Sequence, residues 1–190
     1  MKINEKYGMH PSDESLNRVS DALKANGISC IVVATGEDAR AKFEEIVPEG
    51  AEIMNMTSAT LDATGISGEI TSGRYKSVRS MLATAPDAGK KKIGSAPEWV
   101  VGSVHAITED GKIIIASASG SQLPAYAYGS SHVVFVVGYQ KIVKDVTDGI
   151  RRIYEYTFPL EDERARRAYG VGSGVNKLLI INKEFVPTAS

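Results

Sequence analysis

Apolar residues at Leu16, Val19 and Leu23 recur at helical spacing behind Ser12 and Asp13, either of which can cap a helix running to about Ala25. Asn26-Gly27 stops it. Ile28–Ala34 is a short, continuous apolar run, the pattern of a buried strand. Thr35-Gly36-Glu37-Asp38 then opens a second helix through Val47, which Pro48-Glu49-Gly50 ends. Ala51–Met56 reads as another strand. Thr57 or Ser58 caps a third helix carrying Leu61. Helix–strand–helix–strand–helix in this order predicts a parallel α/β sheet.

The second half is patterned differently. Glu69–Ala83 fits one helix broken at Gly73, or a helix followed by a loop. Glu98–Ala106 supplies a short strand and turn. Two β-prone runs, Lys112–Ala116 and His132–Val137, frame a small-residue segment, Ser117–Gly129. Glu109-Asp110-Gly111 is a tight-turn signal and predicts a hairpin. Gln122–Tyr128 reads as a helix with Pro124 in its first turn. Val133–Val137 is the clearest buried strand. Tyr139–Tyr154 has helical periodicity, with Ile142, Val146, Ile150 and Ile153 inward and Arg151-Arg152 at its end. Glu161–Ala168 is a charged helix, and Leu178–Ile181 a closing strand. With no internal repeat and no linker, the expected organisation is a lead-in over 1–11, its mobility left open, and a single α/β domain over 12–190.

Composition narrows the function classes. The chain has 190 residues, 43% hydrophobic and 24% charged, with a net charge of −1. That charge argues against a general nucleic-acid grip and leaves room for a local cationic pocket. No apolar run approaches the ~18 residues of a membrane helix, and the polar first residues lack a signal core, so a soluble, cytoplasmic protein is expected. Cys30 is the single cysteine. It reads as a buried core thiol, and one cysteine cannot hold an iron–sulfur cluster within this chain. His10, His105 and His132 show no ligand spacing, so no metal site is signalled.

Several residues can carry chemistry. Ser119, Gly120, Ser121 and Gln122 lie where small residues let backbone amides approach an anion; equally, a strand-to-helix turn needs small residues to pack. Gly138 and Lys141 follow a strand, from which an ammonium can reach a carboxylate or phosphate; a plain surface lysine is the alternative. Gly102-Ser103 can open a pocket edge. His105 can act as acid, base or donor, although a lone histidine is more often a satisfied polar group. Glu109 and Asp110 are weak general-base candidates on a turn of a common, inert kind. Lys90-Lys91-Lys92 reads as a solvated face, and Arg164, Arg166 and Arg167 as intrahelical ion-pair partners. Tyr169–Val175 is a glycine-rich connector or a closing loop, with Asn176-Lys177 at a pocket edge.

The pattern Gly102-Ser103, Ala106-Ile107-Thr108-Glu109-Asp110-Gly111, Gly120-Ser121-Gln122, Tyr128-Gly129 and Val137-Gly138 with Lys141-Ile142-Val143 resembles the core of the LUD domain, named for lactate utilisation. Asn176-Lys177-Leu178-Leu179-Ile180-Ile181 fits the same family's closing strand. Where the family carries an Asn-Lys or similar basic pair, this chain has Gln140-Lys141. Where many members carry an asparagine, it has His105. The resemblance implies a three-layer α/β sandwich with a mostly parallel central sheet, like the ribose-phosphate isomerase and CoA-transferase fold, with ligands at strand carboxyl ends. Related folds use a pocket acid, which flags Glu69.

The resemblance further implies a stand-alone, cluster-free protein of lactate or organic-acid utilisation. It would bind a small anionic ligand and act beside iron–sulfur oxidoreductase subunits. The alternatives are a self-sufficient sugar-phosphate isomerase or acyl/CoA-transfer enzyme, or a non-catalytic sensing or assembly module. A homodimer is open, but no exposed stripe selects one.

Overall fold

The computed structural model describes residues 3–185. Its strands are β1 Glu52–Asn55, β2 Lys76–Ser77, β3 Trp99–Gly102, β4 Ala106–Thr108, β5 Ile113–Ser117, β6 His132–Phe135, β7 Ile142–Val143 and β8 Lys177–Ile181. The helices are α1 Asp13–Ala25, α2 Gly36–Ile46, α3 Ala59–Ala63, α4 Ile66–Thr71, α5 Val78–Thr84, α6 Asp87–Ser95, α7 Val146–Arg152 and α8 Phe158–Tyr169. They fold into two units. Unit 1 takes the chain up to Val32, Val104–Ser119, and Gly138 onward; unit 2 takes Val33–Ser103 and Gly120–Val137. The architecture is α/β with mostly parallel strand pairing, as the sequence predicts.

Unit 2 is built on a parallel sheet ordered β2-β1-β3-β6. The capping box of Thr35 and Asp38 starts α2, and Ser58 caps α3. Phe43, Val47, Ile53, Leu61, Ile66, Ile70 and Trp99 form its core. Trp99 pairs with His132 across β3 and β6, and their rings stack at 4.1 Å. Unit 1 carries a mixed sheet ordered β7-β4-β5-β8, in which the expected hairpin joins β4 to β5. Its core gathers Ala106, Ile114, Ala116, Val143 and Ile153. The lead-in carries a 3₁₀ turn, Glu5–Gly8, whose buried Tyr7 donates to Asp148 at 2.8 Å.

Five local expectations are corrected. Ile28–Ala34 is not a buried strand: no ladder pairs it, and Ile31 and Val32 are 55% and 52% exposed. Cys30 within it is accordingly half-buried rather than a core thiol. The strand expected over Val133–Val137 is β6, which among the described residues is an edge strand bonded only to β3, and Val133 is exposed there. The Tyr139–Tyr154 helix starts late. Ile142-Val143, β-branched, pair in parallel with Ile107-Thr108 instead, and Asp145 then caps α7 by accepting from the Asp148 amide at 2.9 Å. Finally, Glu69–Ala83 is broken around Gly73, as one of the two expected forms has it, but strand β2 stands in the break between the end of α4 and α5.

Candidate functional site

Three basic groups drawn out of water lie together in unit 1: Arg152, Lys141 and His105. Arg152 ends α7 and is 2% exposed. Its Nη1 donates to the His105 carbonyl at 2.5 Å and to Thr157 Oγ1 at 3.0 Å, and the guanidinium lies over the Tyr156 ring at 5.2 Å. Its Nε has no partner. None of the hydrogen bonds or ion pairs of Arg152 described above involves a carboxylate. Burial lowers its affinity for its proton. Lys141 ends a 3₁₀ turn, Tyr139–Lys141, not the first turn of a helix as the periodicity suggests. Burial first, and then the charge of Arg152, push its ammonium down to about 8.

His105 sits beside both. Part of the residue stays exposed, but its ring is packed among protein atoms, and the Ala116 amide donates to Nδ1 at 3.2 Å. Burial, then Lys141, then Arg152 hold it down to about 4. Glu161 acts in the opposite sense, but its carboxylate is engaged by Arg164 through two bonds of 2.7 Å. A neutral imidazole that accepts an amide is a poor general base. His105 therefore serves here as a structural acceptor whose carbonyl also orients Arg152.

This depression has a measurable consequence. Between about pH 6.5 and 4 the unfolded chain binds a proton at His105 that the folded protein does not, so stability falls as pH falls through that window. The loss should approach about 3 kcal/mol by pH 4. Urea midpoints from pH 7 to 4 check it: His105→Asn should flatten the slope, and an unchanged slope would refute the assignment.

The other expected ligand-binding residues divide between the units. Ser119, Gly138, Asn176 and Lys177 lie in unit 1 with Lys141, and Gly102, Ser103, Gly120, Ser121 and Gln122 in unit 2. Asn176 is structural in part: its side-chain amide donates to the Ala118 carbonyl at 3.1 Å, and its backbone N–H to Ser117. Lys177 is exposed on β8. A Cβ on Gly138 would strike the Gln140 side-chain amide, which folds over it. Gly102 is buried because the Tyr126 hydroxyl occupies the place a side chain would take. Gly120 has a positive φ of 85°. Gln122 accepts from the Tyr126 amide as the helical turn begins.

The carboxylate candidates are each committed to neighbours. Glu109 accepts from Ser15 at 2.9 Å and from Arg18 at 3.0 Å, which holds it below the usual range. Asp110 bonds Lys112 at 2.5 Å and the Thr108 hydroxyl, with the same effect. Glu69 lies 3.5 Å from Arg74. The glycine-rich connector is fastened to α8 by the Ser173 amide, which donates to Asp162 at 2.8 Å. Arg164, Arg166 and Arg167 are intrahelical ion-pair partners, as expected. Sequence reading missed Arg152. Its place at a helix end suggested only a dipole partner, and nothing local distinguishes it from its exposed neighbour Arg151.

Among the described residues no helix is long and apolar enough to cross a membrane, and no group of three or more His, Cys, Asp or Glu is placed to hold a metal ion. No curated protein matches the chain. A solved structure, the crystal structure of a DUF162 family protein from Deinococcus radiodurans at 1.70 Å resolution, is similar in fold. The TM-score is 0.56 at 12% identity, over 90% of this chain and 89% of that one. Residues 16–174 match the LUD domain, a span that takes in residues of both units. The chain belongs to the LUD-domain family.

Proposed function

We propose that this LUD-domain protein binds a small carboxylate anion at Lys141 and serves lactate or related organic-acid utilisation. The observation that carries the reading is the pair Lys141 and Arg152. Both are cationic at neutral pH, both are drawn out of water, and the charge of Arg152 disfavours that of Lys141. Two like charges close together in a low dielectric make the surroundings of Lys141 attractive to an anion. An organic-acid carboxylate supplies that charge with acceptor atoms suited to an ammonium. The single cysteine leaves no cluster within the chain. In this reading the electrons of any oxidation reside on iron–sulfur partner subunits or on a bound cofactor.

Calorimetric titration of the purified protein with L-lactate and with pyruvate tests the proposal. Saturable binding is expected, weakened about 30-fold or more in Lys141→Met, the loss of about 2 kcal/mol typical of a charged hydrogen bond. Binding unchanged in that variant, or absent from the wild type, would refute it. An isomerase or acyl-transfer enzyme would need a free carboxylate, and Glu69, Glu109 and Asp110 each face a basic partner.

A further inference from the structure

Unit 2 holds a second polar site, at the carboxyl end of β1. The chain leaves β1 for β2 on one side of the sheet and returns to β3 on the other. The carboxyl end of a strand where the order reverses in this way is where parallel α/β sheets leave a crevice. A cleft of about 340 Å³ opens there, lined by Asn55, Thr57, Asp62, Ser67, Thr71 and Arg79 among others. None of these residues carried a functional signal in the sequence.

Three features define what would fit. Asn55 is 6% exposed, and its amide oxygen has no hydrogen-bond partner. Leaving such an acceptor buried and unpaired costs about 1–3 kcal/mol, which a ligand's donor would recover when the Asn55 side chain turns its oxygen to the cleft. Arg79 is held in place by two bonds to the Asn55 carbonyl, at 3.2 and 2.8 Å, and one to Thr57 Oγ1 at 3.4 Å. Its fixed guanidinium suits a carboxylate. Asp62 lines the same cleft, yet no ion pair joins it to Arg79 among the described residues. The cleft thus offers one cation, one anion and a buried acceptor, all unsatisfied by one another.

We infer that this cleft binds a small zwitterionic 2-amino acid. The ammonium faces Asp62 and the Asn55 amide oxygen, and the carboxylate faces Arg79 and the Thr57 hydroxyl. A purely anionic organic acid would meet Arg79 but be repelled by Asp62, so the cleft differs in charge type from the Lys141 cluster. The inference does not rest on the function proposed above.

The test is calorimetric titration of the full chain with glycine, L-alanine and L-serine, and with propionate and ethylamine, each lacking one charge. At least one amino acid should saturate. Its affinity should fall about tenfold or more in Asp62→Asn and in Arg79→Met and stay unchanged in Lys141→Met, and propionate and ethylamine should bind about tenfold more weakly. The hydrogen bonds of Asp62 to Ser58, Thr64 and Gly65 all run through its backbone, which Asp62→Asn keeps, so the variant should fold. No saturation by any amino acid below about 10 mM would overturn the inference. So would equal binding of propionate, or binding indifferent to Asp62→Asn.

Discussion

Gly102→Ala should destabilise the protein by about 3 kcal/mol, the upper part of the range for overpacking a filled core. The added methyl would fall on the Tyr126 hydroxyl, 2.9 Å from Tyr126 Cζ and 3.3 Å from Met56 Cβ. Tyr126 is 4% exposed and packs on Phe135 at 4.9 Å, so its ring has little room to move aside. Gly102 also ends β3, where its carbonyl accepts from Val136. A backbone shift there would disturb the β3–β6 ladder as well. Urea denaturation of Gly102→Ala, alone and combined with Tyr126→Ala, separates the causes. The double variant should be less destabilised than the sum of the two single changes, because it removes the clashing ring. Strict additivity would mean that Gly102 is required for another reason, such as close approach of a ligand.

The second large effect is a rise in stability with alkaline pH that depends on Lys141. Its folded-state value, lowered to about 8, lies below the 10.5 of an unperturbed lysine. Between these values the unfolded chain carries a proton that the folded protein does not, so stability rises with pH across the window. The contribution is on the order of 3 kcal/mol, an upper figure for a partly covered group. Tyr7, pushed up to about 12 by burial and Asp148, acts in the opposite direction above pH 10. The quantity to measure is therefore the difference between wild type and Lys141→Met. Over pH 8 to 10 the wild type should gain on the variant, and a difference independent of pH would show that Lys141 is freely solvated. Anion affinity should fall over the same range, because the neutral amine no longer attracts a carboxylate.

Much of the fold was legible in the sequence, because short-range signals specify it. The Ser12, Thr35 and Ser58 caps, the Glu109-Asp110-Gly111 turn and the apolar β3 and β5 runs each depend on neighbouring residues. The failures came where tertiary partners decide. Ile28–Ala34 has the composition of a strand but no strand beside it. Ile142-Val143 fits a helical stripe but finds β4 to pair with, and Asp145 resets the helix start. The candidate site shows the same limit. Lys141 was found from its place after a strand, whereas Arg152 becomes distinctive only through burial beside His105 and Lys141. The cleft at Asn55 was invisible for a related reason: an unpaired amide oxygen is a property of packing, not of residue order.

The proposed function has a small anion bind the Lys141 ammonium of unit 1, which is drawn out of water. Its most direct test is an NMR titration of the Lys141 side chain, assigned by its loss in Lys141→Met, with and without saturating L-lactate. A midpoint near 8 in the free protein, moving upward when lactate binds, is the predicted result. A midpoint at the ordinary lysine value, or one near 8 that lactate leaves in place, would contradict it.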